Sequence, residues 1–123
     1  MTSKVYKFNV IAGLESLASH DFQKVAWFEN DQGIVSSYGD MVSLVFEASA
    51  LEEPLYKRIV FSKKADNALR ELDSMVEAIG YDRDERELID SPEMEAVRQK
   101  AAEALALVKA SDGSESTVEI IVR

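Results

Sequence analysis

Lys4 to Ala12 reads KVYKFNVIA, and the way this stretch is parsed decides the fold. Tyr6, Phe8 and Val10 alternate with Lys7 and Asn9, the period of two that belongs to a half-buried strand. The reading makes Lys4 to Ala12 a first strand ended by Gly13, followed by a helical turn over Leu14 to His20, where Leu14, Leu17 and Ala18 share one face.

Strand character continues outward from there. Phe22 to Glu29 carries Val25 and Trp27, and Asn30, Asp31, Gln32 and Gly33 supply turn residues for a hairpin returning through Ile34 to Tyr38. Gly39 and Asp40 mark a second turn, after which Met41 to Ala48 is apolar enough for a central strand. Glu52, Glu53 and Pro54 interrupt, and Tyr56 to Phe61 forms the next strand.

Two helices follow. Ser62 is placed to cap the first, whose apolar stripe is Ala65, Leu69, Leu72, Val76 and Ile79, with Gly80 at its end. Asp90, Ser91, Pro92 and Glu93 announce the second, with a stripe of Met94, Val97, Ala101, Ala104, Leu105 and Val108. Ser111, Asp112 and Gly113 stop it, and Thr117 to Val122 closes the chain as a β-branched strand. The expected fold is α+β: one domain over residues 1–123, with an antiparallel sheet of about five or six strands and the two C-terminal-half helices packed on one face.

Composition narrows the chemistry. A chain of 123 residues with 46% hydrophobic content suits one core. The absence of cysteine removes disulfides, thiolate nucleophiles and cysteine-held zinc or iron–sulfur centres. The N-terminus lacks the continuous apolar run of a secretory signal, and no stretch approaches the length of a membrane span, which suggests a cytoplasmic location. A formal net charge of -9 repels nucleic-acid backbones and anionic lipid, so neither nucleic acid nor membrane is an expected partner.

Charge is also the sharpest local feature. Between Asp66 and Glu95 there are 11 acidic residues against three basic ones, a difference of -8 that nearly equals the net charge. Asp66, Glu71, Asp73 and Glu77 lie off the apolar stripe of the first helix, and the loop after it adds Asp82, Asp84, Glu85, Glu87 and Asp90. Such a face keeps a protein soluble, and it also steers a basic partner.

Motifs for catalysis and metals are fragmentary. Asp82, Asp84, Asp90 and Glu93 fall at positions one, three, nine and twelve of a calcium loop, but Arg86 takes position five and Glu87 stands where a tight loop needs glycine. His20, Asp21, Ser16 and Ser19 contain the parts of a hydroxyl relay without the distant segments that assemble one, and no G-x-S-x-G occurs. The five glycines stand singly, so no phosphate-binding fingerprint exists. No cofactor and no metal are expected.

The leading expectation is a non-enzymatic acidic binding protein of the inhibitor, immunity-factor or adaptor type. It docks a basic partner surface through Asp73, Glu77, Asp82, Asp84, Glu85 and Glu87, with Trp27 as an aromatic anchor should it be exposed. The alternative is a homo-oligomeric module, such as a homodimer, that binds a small anionic ligand with Lys57, Arg58, Lys63 or Lys64.

Overall fold

The computed structural model describes residues 2–29, 37–57, 59–111 and 118–121. Its elements in chain order are β1 (Thr2–Val5), α1 (Lys7–Ala18), α2 (His20–Lys24), a π-helical turn (Val25–Glu29), α3 (Tyr38–Phe46), α4 (Glu52–Leu55), α5 (Lys63–Ile79), α6 (Glu85–Leu88), α7 (Pro92–Lys109) and β2 (Val118–Ile121). The expected α+β sheet of five or six strands is therefore overturned, and the fold is helical. The described strands are two four-residue segments near the chain ends, paired antiparallel with Val5 opposite Val118. The strand expected near the C-terminus is thus present as β2, whereas the hairpin's turn and most of its return, 30–36, lie outside the described residues.

The stretch read as the first strand is the start of α1, and burial shows why the alternation misled. Phe8 is 66% exposed and Tyr6 46%, while Lys7, expected to face water, is 5% exposed. The buried positions of α1 are Lys7, Val10, Gly13, Leu14 and Leu17, spaced by three and four. The apparent breaker Gly13 is instead a contact: a Cβ there would lie 2.6 Å from Val45 Cγ2 and 2.9 Å from its backbone nitrogen. Only glycine lets α1 and α3 approach so closely.

Met41 to Ala48 has the look of a central strand for a related reason, but its first six residues are helical. A run apolar on all sides has no telling period, and here Tyr38, Met41, Val42, Val45 and Phe46 are the buried face of α3. The helix is started by a capping box. Ser37 Oγ accepts from Asp40 N–H at 3.0 Å, and Asp40 Oδ2 accepts from Ser37 N–H at 3.1 Å. Phe22 to Glu29 likewise forms no strand, being the end of α2 with its π-helical turn, and among the described residues of Tyr56 to Phe61 there is turn and irregular backbone, with Ile59 54% exposed.

Both long helices stand where the apolar stripes place them. Ser62 Oγ caps α5 by accepting from Ala65 N–H at 3.1 Å, and Gly80, at φ 75°, ends it. The cap of α7 is Ser91, whose Oγ accepts from Met94 N–H at 3.1 Å, with Pro92 in the first turn. Helix α1 packs against α3 and α7, and α5 also packs against α7. Tyr38 returns α3 to α5 by donating its hydroxyl to the Val76 carbonyl at 3.3 Å. Leu14, Leu17, Met41, Leu69, Leu72 and Met94, all fully buried, fill the space enclosed. Each contributes roughly 1.5–3 kcal/mol of transfer free energy.

Buried polar groups tie the helices at their ends, where backbone groups lack intrahelical partners. Gln23 Nε2 donates to the carbonyls of Ser16 and Leu17 at 3.0 and 2.8 Å, closing the C-terminus of α1, and Gln23 Oε1 accepts from Arg98 Nη1 of α7 at 3.0 Å. Asp66 was expected on the solvent face of α5. It is fully buried, and its carboxylate accepts from the N–H groups of Val60 and Phe61 at 2.7 and 3.0 Å.

Candidate functional site

Helices α3, α4 and α5 enclose a groove of about 380 Å³. The helical period of α3 turns Val42 and Phe46 into its apolar floor, with Gly39 and Ser43 beside them. Asp73 and Glu77, one turn apart on α5, form one wall. Glu47, at the end of α3, and Glu52, at the start of α4, complete the lining together with Tyr81. The turn between Glu47 and Glu52 includes Ala50 at φ 61°, a left-handed conformation costly for a residue with a Cβ.

Phenols fix the groove's carboxylates. Tyr81 donates its hydroxyl to Glu77 Oε1 at 3.1 Å, and Tyr56 donates to Asp73 Oδ2. The Tyr81 ring leans on Tyr38, with centroids 5.8 Å apart and planes inclined by 36°. Burial, then the charge and hydrogen bond of Glu77, then the charges of Asp73 and Glu52, push the Tyr81 hydroxyl up to about 12. Burial and the bond to Asp73 do the same to Tyr56, also to about 12. Both phenols are therefore protonated donors at neutral pH, so they neutralise none of the carboxylate charge. Among the described residues, Glu47, Glu52, Asp73 and Glu77 make no ion pair.

Of the six acids expected to form a docking face, Asp73 and Glu77 reach this groove. Asp82, Asp84 and Glu87 are exposed in the segment between α5 and the end of α6, where Asp84 Oδ1 caps α6 by accepting from Arg86 N–H at 2.9 Å. Glu85 is partly buried; desolvation, then the charges of Asp84 and Asp40, raise its pKa against a bond from the Tyr38 backbone. Trp27 does not present an exposed anchor: it is 9% exposed and belongs to the core, while its neighbour Phe28 is 43% exposed. Glu47, Glu52 and Tyr81 escaped the sequence reading. The Ser37 and Asp40 pair was the available signal, because a capping box there makes α3 a helix and sets its groove face.

The described members of the basic cluster of the alternative reading are Lys57, Lys63 and Lys64. Lys57 Nζ lies 2.6 Å from Glu53 Oε1, and Lys63 and Lys64 are exposed in the first turn of α5. Arg58 lies outside the described residues. Tyr56, next to Lys57 in the chain, donates its hydroxyl to Asp73 Oδ2.

The remaining motifs disperse. Asp84 is a helix cap, Glu93 faces Arg83 at 3.6 Å, and Asp90 faces His20 at 3.9 Å, so the fragmentary calcium loop does not converge. Among the described residues no three histidine or carboxylate groups are placed to hold a metal ion. Ser16 donates its hydroxyl to the Ala12 carbonyl, and Ser19 Oγ caps α2 by accepting from Phe22 N–H, so both hydroxyls are engaged by the backbone of their own helices. No helix among the described residues is long and apolar enough to cross a membrane.

No family model, curated protein sequence or solved structure matches this chain.

Proposed function

We propose that this protein is a non-enzymatic binding protein that docks a basic protein surface through the groove between α3, α4 and α5. One observation carries the reading: four carboxylates, none ion-paired among the described residues, share a concave site with an apolar floor and a half-exposed tyrosine. Carboxylates that merely keep a surface soluble need neither concavity nor apolar floor. A groove of this kind desolvates an incoming cation partly, which strengthens each charge-assisted hydrogen bond relative to an open face. The acids of the loop, Asp82, Asp84 and Glu87, add a field that steers the partner, and they contribute more to association rate than to affinity.

The test is capture from native lysate by the protein and by its Glu52→Gln/Asp73→Asn/Glu77→Gln variant, at low and high salt. The expected result is a basic protein held by the parent at low salt, released at high salt, and missing from the variant. Retention of the same proteins by both forms would overturn the reading.

A further inference from the structure

Resting on that docking reading, we propose that the groove seats a single arginine side chain of the partner, in preference to lysine. Its volume, about 380 Å³, is ample for one long side chain. The floor of Val42 and Phe46 matches the aliphatic stem that arginine and lysine share. What separates the two cations is the wall.

Tyr81 is 50% exposed although its hydroxyl is committed to Glu77 and its ring rests on Tyr38. Tyr81 also lines the groove, and on an aromatic ring a planar, weakly hydrated guanidinium stacks well and a compact, strongly hydrated ammonium stacks poorly. Each phenol bond occupies one carboxylate oxygen, Glu77 Oε1 and Asp73 Oδ2. The second oxygen of each accepts no hydrogen bond among the described residues and stays available to a donor. Two such acceptors, one helical turn apart on a fixed wall, suit the spread donors of a guanidinium better than the single point of an ammonium. Glu47 and Glu52 supply further negative charge, completing the complementarity to a cation.

The experiment titrates the isotopically labelled protein with N-acetyl-arginine amide, N-acetyl-lysine amide and N-acetyl-citrulline amide, following backbone amide shifts. Arginine amide is expected to move the resonances of Val42, Phe46 and Tyr81 and to bind about two- to fivefold more tightly than lysine amide. Citrulline amide, which keeps the shape without the charge, is expected to move none of them. Tyr81→Leu should abolish the preference, whereas Tyr81→Phe, which keeps the ring, should retain it; the dispersion of each variant's spectrum checks that it folds. Equal binding of arginine and lysine amides at the groove would overturn the arginine preference and leave cation docking standing. Shifts confined to other surfaces, or no shifts with any cation, would overturn both.

Discussion

Gly13 shows how much a single position can demand. The approach of α1 to α3 leaves no room for a methyl group, and one of the atoms in the way is the backbone nitrogen of Val45, which no rotamer change can move. Gly13→Ala is therefore expected to destabilise by about 1–3 kcal/mol in urea unfolding, the usual range for overpacking. Gly39→Ala is the natural comparison, since its added Cβ would meet nothing closer than Ser37 Oγ at 3.8 Å. In the first turn of α3 it should stabilise by less than the roughly 0.5–1 kcal/mol of a helix-interior glycine, because alanine is the better helix former. Asp66 is decisive in another way. Asp66→Ala strips the N–H groups of Val60 and Phe61 of their acceptors in a buried setting, and should cost about 2–5 kcal/mol in the same assay.

Secondary elements carry the lesson about legibility. α5 and α7 were readable because each has caps, a stop and an apolar stripe repeated over four turns or more, so local propensity and pattern agree. α1 and α3 were not, because apolar residues in each stand on more than one face, so no single period shows in the sequence. In α1 three alternating residues imitated a strand, and the glycine that marks a close helix crossing imitated a break. Asp73 and Glu77 were legible as solvent-side acids of α5, but their assembly with Glu47, Glu52 and Tyr81 depends on α3 being a helix. The same level holds the polar link between α1 and α7. Gln23→Leu would leave the Ser16 and Leu17 carbonyls and the Arg98 guanidinium without this partner, and is expected to cost about 2–4 kcal/mol by thermal or urea unfolding.

Across the whole molecule, acidic charge is arranged with a consequence for pH. Glu85 has its pKa raised in the folded protein, so the folded state binds its proton more tightly than the unfolded chain does. Its contribution favours folding below the unfolded value and is lost as pH rises through the folded one. Glu85→Gln should accordingly stabilise the fold at pH 7 by less than about 1 kcal/mol, read as a higher melting temperature, and leave it unchanged at pH values well below 4.5, where both states are protonated. The central claim is that the groove, and not net charge alone, selects a basic partner. It is tested most directly by the affinity of one arginine-containing, end-blocked glycine-rich peptide for three forms: the parent, Asp73→Asn/Glu77→Gln, and Asp84→Asn/Glu87→Gln. The two variants remove the same charge from different places, and asparagine preserves the cap of α6. The account predicts a loss of about tenfold or more for the groove variant and less than about twofold for the loop variant. Equal losses would mean that the peptide follows the global field, and the groove reading would be contradicted.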